Sequence, residues 1–447
     1  MALILIFVMS VPASAQLGDT DVSSITIQNI SGATATVTVT FVSESGVSYT
    51  PLQLDGLSTT SFPNPFTLTP NQSRQIYVPN IPAAQLPTGR YSVVISSNEQ
   101  VVAVAGVTGG GTKNFTGTYS GFSAGANQVY LPSTAFNYFG WYSMISVQNL
   151  GSAPADVTVT ITCSTGLIGT LQVNDLPEMA SYTFPLKNTI PTGFTGSTSC
   201  NGSSSIVSDQ PIVAVDSMNM PSAGSTNSFE ASISGFEKLY VPILTTAYYG
   251  WNSSLTIRKL GSGNTTVTID YSDAEPNDTC DLTDAVPACQ LYMPSHHPTP
   301  GLWGAIITST PAKQLLAVVG TTQGTLSGAY TGFGSGSGTV KIPEVTKFYY
   351  SWVSSITCQN VSSTPTTLNF AYQGHTPYDH PTTLNEGNIA QVYVPNEAFL
   401  PNGYIGGVTV TANAVGANIA CIASHSNFTN LSIYPGDWST YYNAFNQ

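Results

Sequence analysis

Leu239-Tyr240-Val241-Pro242 is followed 52 residues later by Leu291-Tyr292-Met293-Pro294, and then by Val340-Lys341-Ile342-Pro343. The same signature, an apolar or aromatic strand running into proline, stands at Ile76-Tyr77-Val78-Pro79, Val129-Tyr130-Leu131-Pro132, Tyr182-Thr183-Phe184-Pro185 and Val392-Tyr393-Val394-Pro395. Prolines 79, 132, 185, 242, 294, 343 and 395 lie 53, 53, 57, 52, 49 and 52 residues apart. Proline cannot donate to a β-ladder, so it suits the end of a strand. A steady period of this length marks a repeat architecture.

Within each period, segments such as Tyr91-Ser-Val-Val-Ile-Ser96, Val101-Val-Ala-Val-Ala105, Val157-Thr-Val-Thr-Ile161 and Thr266-Val-Thr-Ile269 alternate β-branched with small or polar residues between Gly, Asn and Ser, which reads as strands. Four strands fit each unit. Alternate units carry an aromatic opening and a Gln-Asn turn: Tyr138-Phe-Gly-Trp141 with Gln148-Asn149, Tyr248-Tyr-Gly-Trp251 with Arg258-Lys259 in place of the turn, and Tyr349-Tyr-Ser-Trp352 with Gln359-Asn360. The others end in Tyr119-Ser-Gly-Phe122, Ser234-Gly-Phe236 or Tyr330-Thr-Gly-Phe333. Two all-β architectures follow. Eight four-stranded units of about 52 residues (16–79, 80–132, 133–185, 186–242, 243–294, 295–343, 344–395 and 396–447) predict an eight-bladed β-propeller. Four tandem Ig-like β-sandwiches of about 105 residues are the alternative. The likeness between half-periods favours the propeller.

Residues 1–15, Met1-Ala-Leu-Ile-Leu-Ile-Phe-Val-Met-Ser-Val-Pro-Ala-Ser-Ala15, form an apolar run closed by an A-x-A-like site, as in a secretory signal peptide, although no Lys or Arg precedes the run. Residues 16–447 are then the mature repeat domain. A competing alignment sets Val22-Ser-Ser-Ile-Thr on Val353-Ser-Ser-Ile-Thr and Pro12 on Pro343, which would make the same segment the closing strand of the last blade. If it is cleaved instead, an open sheet edge remains for a strand of another molecule, and filament growth is one outcome.

Charged residues make up 7% of the 447-residue chain, against about 25% in average soluble proteins, while hydrophobic residues reach 41%. Ser, Thr, Asn and Gly must therefore supply solubility, an extracellular style of surface. The 23 acidic and 10 basic residues give a net charge of -13, which repels nucleic acid and anionic membranes. No later segment has the length of a membrane span. Six cysteines fit an oxidising compartment. Cys280 and Cys289 bracket one loop, and the pairs Cys163 with Cys200 and Cys358 with Cys421 then join consecutive units.

The proline strand, the aromatic-Gly-Trp element, the Gln-Asn turn and the Val-Thr-rich strand together resemble repeats of secreted bacterial surface proteins. Ser208-Asp-Gln-Pro-Ile-Val-Ala-Val215 is more distantly similar to extracellular repeats of the IgGFc-binding type. The resemblance implies a surface or adhesive role and carries no functional residue; it does not imply antibody binding.

No Ser-His-Asp or Cys-His order and no G-x-S-x-G elbow is legible, so catalysis is not expected, and an enzyme on a propeller scaffold is the remotest reading. The five histidines, at 296, 297, 375, 380 and 425, are expected on exposed loops. No cofactor motif is present. Asp273, Glu275, Asp278 and Asp281 are candidate Ca²⁺ ligands because hard cations take clustered carboxylates. Tyr138, Phe139 and Trp141, Tyr248, Tyr249 and Trp251, and Tyr349, Tyr350 and Trp352 form three matching aromatic groups on loops, whose equal spacing suits packing between units; Tyr138, Trp141, Tyr248, Trp251, Tyr349 and Trp352 are candidate carbohydrate contacts, their repetition giving avidity. Ten N-x-S/T sequons permit glycosylation. The expected function is that of a secreted, non-enzymatic structural or adhesive protein, a surface-layer or filament subunit binding copies of itself or surface glycans and proteins. A carbohydrate-binding lectin is the alternative.

Overall fold

A computed structural model describes the backbone of residues 3–7 and 115 and all atoms of residues 22–57, 62–109, 116–273, 275–427 and 437–447. The chain is all-β, and the longest helix among the described residues has four residues, Met293–His296. The third repeat displays the plan. Its eight strands are Leu239–Thr246, Asn252–Lys259, Thr265–Tyr271, Asp278–Leu282, Ala288–Tyr292, Gly301–Thr310, Leu315–Gln323 and Leu326–Thr331. Numbered first to eighth, they pair antiparallel as two sheets in the orders first-sixth-third-fourth and fifth-second-seventh-eighth. The other three repeats follow the same two orders; in the second, the sixth and seventh strands fuse into the single strand Cys200–Met220.

These pairings overturn the eight-bladed propeller. A blade made from one 52-residue unit would take all four strands from that unit, yet each sheet here draws on both halves of a 105-residue repeat. Two sheets face each other with a dry core between them. In Thr265-Thr-Val-Thr-Ile-Asp-Tyr271, alternate residues point inward and are buried while Thr266, Thr268 and Asp270 point away. Val267, Ile269, Leu255, Ile257, Ile307 and Val319 meet in the middle, each fully buried. Burying each such side chain contributes about 1.5–3 kcal/mol.

The half-period misleads because one motif serves two structures. Pro79 and Pro395 turn the chain into short 3-10 helices, Pro294 opens the helix Met293–His296, and Pro185 ends its strand; all four stand at the end of the fifth strand or just past it. Pro132, Pro242 and Pro343 lie inside the first strand, which continues past them through a register shift between Leu131 and Thr134, Val241 and Leu244, and Ile342 and Val345. A bulge tolerates the missing N–H.

The four sandwiches close into a ring. Their eighth strands, Phe115–Ser120, Ser225–Glu230, Leu326–Thr331 and Ser439–Asn443, pack each against the next, and the fourth packs against the first. Each core takes side chains from the following repeat: Val213 and Val215 enter the first, Val318 and Ala329 the second, Ala420 and Ile422 the third, and Val104 the fourth. Seventh strands are thus covered on both faces, which explains the unbroken apolar run Val101–Ala105. Leu3–Phe7 pairs with Tyr91–Ser97 in the first repeat, in the place the first strand takes elsewhere, so it does not complete the last one. The fourth repeat is completed by its own Phe445–Asn446 against Val340 and Lys341. Pro12 and the expected cleavage site at Ala13–Ala15 lie outside the described residues.

All three disulfides form as paired from the sequence: Cys163–Cys200, Cys280–Cys289 and Cys358–Cys421. Each lies within one sandwich, and Cys358 and Cys421 are direct cross-strand partners. Among the described residues, no helix is long and apolar enough to cross a membrane.

Candidate functional site

First and second strands are joined by a two-residue turn. Tyr138 and Trp141 exchange backbone hydrogen bonds of 3.2 and 2.9 Å across it, as do Tyr248 and Trp251. Both turn residues have positive φ: Phe139 (49°) and Gly140 (83°), Tyr249 (48°) and Gly250 (85°), Tyr350 (46°) and Ser351 (67°). Such turns favour Asn, Asp or Gly in the first place, and a bulky aromatic there is strained. The rings are nevertheless held outward: Phe139, Tyr249 and Tyr350 are 80, 81 and 80% exposed. Each stands edge-on to its neighbour, Tyr138, Tyr248 or Tyr349, at 4.7–4.8 Å between centroids. The candidates Tyr138, Trp141, Tyr248, Trp251, Tyr349 and Trp352 are half-buried at the base of these turns. The sequence groups Phe139, Tyr249 and Tyr350 with them as aromatic loop clusters, and the structure puts these three at the tips of the turns.

The Gln-Asn pair is not an exposed turn. It ends the second strand, fully buried, and its Asn pins two loops: Asn149 Nδ2 donates to the carbonyls of Ala153 (2.7 Å) and Leu176 (2.9 Å), and Asn29 and Asn360 repeat the arrangement. The sequons at Asn29 and Asn360 are therefore inaccessible in the folded protein. Gln359 reaches the preceding repeat at the Ala305 carbonyl (3.2 Å). In its place Arg258 reaches the Leu131 carbonyl (3.2 Å) and that of Ser204 and lies 5.1 Å above the Tyr130 ring. Burial lowers its guanidinium to about 10.

The acidic candidates are engaged separately. Asp273 bonds His297 Nε2 (3.0 Å), Asp278 accepts from Tyr271 (2.7 Å), Asp281 accepts from Thr266 (2.6 Å), and Glu275 accepts from Thr299 at 2.5 Å. No group of three or more His, Cys, Asp or Glu gathers for a metal among the described residues. Contrary to expectation, His297 is fully buried, its ring 3.7 Å from that of Trp303, and His425 is buried against Tyr442, which lowers it to about 4.

At the ring's centre, the carboxylate of Asp437 accepts from Thr226 N (2.8 Å), Ser327 N (2.8 Å), Ser327 Oγ (2.6 Å) and Ser439 N (3.1 Å), joining the second, third and fourth repeats. Burial raises its pKa far above the carboxylate range. Thr116, the residue of the first repeat that matches Thr226, Ser327 and Ser439, faces a cleft of about 620 Å³ between the fourth and first repeats. Tyr349, Trp352, Trp438 and Tyr442 form one wall; Ser24, Thr26, Thr108, Thr116 and Thr118 form the other. Glu344 lines the cleft and takes bonds from Thr26 and from Gln75 (3.0 Å). Burial raises its pKa, against those bonds. A second cavity of about 330 Å³ shares Thr26, Gln75, Tyr77, Asn80 and Tyr349 with the first.

No protein-family model matches the chain, and neither does any curated protein. Among solved structures, protein 1070 of Thermotoga maritima is 16% identical, covering 27% of this chain and 91% of its own, with a TM-score of 0.19. A sensory rhodopsin transducer of Anabaena is 20% identical, covering 21% and 95%, with a TM-score of 0.17. A tetra-tandem repeat from the extending region of a large adhesion protein covers both chains fully at 9% identity and a TM-score of 0.12. At these scores the likenesses assign neither family nor function.

Proposed function

We propose that the chain is an extracellular, non-catalytic adhesive protein that binds surface glycans multivalently through the aromatic turns of its ring. The reading is carried by Phe139, Tyr249 and Tyr350: three copies of a strained turn hold a large ring in solvent, where neither packing nor backbone preference accounts for it. Aromatic faces stack on sugar rings, and weak contacts repeated on one rigid body multiply in avidity. Three disulfides suit an oxidising compartment. The test is retention of the purified protein on a printed glycan array. Phe139→Ser/Tyr249→Ser/Tyr350→Ser is expected to lower apparent affinity at least tenfold with unchanged melting; equal retention would overturn the reading.

A second reading, assembly into filaments, is favoured by the pairing of Leu3–Phe7 with Tyr91–Ser97. If the segment is removed as a leader, that edge loses its partner and accepts a strand from another copy. A protein beginning at Gln16 should then sediment as concentration-dependent assemblies; a monomer at high concentration removes this version.

A further inference from the structure

The fourth-to-first junction differs from the third-to-fourth in what fills it. Between the third and fourth repeats, Tyr441 inserts its ring against Trp251 (6.2 Å), and a Cβ on Gly328 would come within 2.1 Å of that ring. At the fourth-to-first junction the matching residues are Thr118 for Tyr441 and Thr440 for Gly328. The aromatic filler is gone, and the cleft of about 620 Å³ stands in its place. Glu344 occupies the position held by Ile243 and Ser133 in the third and second repeats, each following the first-strand proline.

We infer that this groove is a second binding site, specific for a neutral oligosaccharide. Its volume lies in the range of small-molecule sites, about 300–1,000 Å³. Its two walls suit a pyranose: the half-buried Trp352, 6.0 Å from the buried Trp438 and tilted to it, offers stacking surface, and the opposite wall offers hydroxyls. Ser23 Oγ and Thr116 Oγ1 line it, are more than nine-tenths buried, and have no hydrogen-bond partner. Buried polar groups without partners call for a ligand or water to complete them. The adjoining cavity lengthens the groove past Asn80 toward Arg74, whose charge is offset by Asp55 and which lies 3.4 Å over the Phe62 ring. Glu344 uses Oε2 for both of its bonds, leaving Oε1 to accept from a sugar hydroxyl, and the net charge of -13 repels an anionic sugar.

This groove is independent of the turns at Phe139 and Tyr249, while Tyr350 borders both sites. The experiment titrates the full chain with cellotetraose, maltotetraose and chitotetraose, with tetragalacturonate as the anionic control, and follows tryptophan fluorescence and heat. At least one neutral probe should bind and quench fluorescence, and tetragalacturonate should bind at least tenfold more weakly. Thr118→Tyr/Thr440→Gly installs the filler of the neighbouring junction and is expected to weaken binding at least tenfold with melting unchanged. Trp352→Ala supplies the second variant should that filler fail to fold. Silence of all three neutral probes, equal binding by the filled or Trp352→Ala variant, or preference for tetragalacturonate overturns the proposal. Phe139→Ser/Tyr249→Ser should leave these titrations unchanged while lowering array retention, so the two sites fail separately. Binding of an extended peptide in place of sugar would likewise reject the glycan assignment.

Discussion

Two junctions of one ring, built on the same strands, reach opposite ends. Between the third and fourth repeats, Gly328 leaves room for the Tyr441 ring, and the interface is closed. Between the fourth and first, Thr440 and Thr118 stand at those places and a groove stays open, with a carboxylate at its side. The fold therefore holds a ring together without needing every interface to be filled, and exchanging a few side chains converts a structural contact into a candidate site.

The largest effect expected is at the closed junction. Tyr441→Ala removes a buried ring and should cost about 3–5 kcal/mol in denaturant unfolding, whereas Thr118→Ala at the open one should cost about 1 kcal/mol or less. Similar losses at both would erase the distinction. Next in size is Gly328→Thr, which overpacks against Tyr441 and should cost about 1–3 kcal/mol. Adding Tyr441→Thr recreates the open junction's pair, and the double-mutant cycle should show coupling of about 1 kcal/mol or more; strict additivity would mean that the two residues do not compete for one space.

A smaller, pH-dependent difference follows from Glu344. Burial holds its carboxyl above the ordinary 4.5, so the folded state keeps a proton that the unfolded state releases. Its stabilising contribution is complete below about pH 4.5 and is lost as pH rises through the folded-state value. Glu344→Gln keeps acceptance from Thr26 and Gln75 and removes that slope, so melting temperatures of parent and variant should diverge between pH 4 and 8, the variant gaining as pH rises. Parallel curves would place the charge outside the balance. The matching Ile243 has nothing to titrate. The smallest effect belongs to the turns: Tyr249→Gly trades an edge contact with Tyr248 for relief at φ 48°, and stability should move by about 0.5 kcal/mol or less while array retention falls. A loss of several kcal/mol would make the ring a packing element and not a contact.

Much of this was legible in advance. Period-2 alternation located segments such as Val157–Ile161 and Thr266–Ile269, since an inward-outward pattern is a property of neighbouring residues. The pair Cys280 and Cys289 followed from position and the other two by elimination, and the aromatic groups were singled out as loop clusters, with no local signal that Trp141 and Tyr138 form the base and Phe139 the tip. Asp273, Glu275, Asp278 and Asp281 were candidate Ca²⁺ ligands because they cluster in sequence; strand pairing sets Asp281 on Thr266, and the turn sets Asp273 on His297.

By itself the sequence determined an all-β repeat chain with few charges, and it left the count between eight units of about 52 residues and four of about 105, because strand patterning, turn residues and composition are local. Only the tertiary structure decided which sheet each strand joins, because Tyr-Val-Pro reads alike whether proline sits in a bulge at Pro242 or opens a 3-10 turn at Pro395. Long-range pairing settles that difference. It also decided that the repeats close on one another and that one junction is open, since the groove depends on Thr118 and Thr440, more than 300 residues apart in the chain, meeting across the ring.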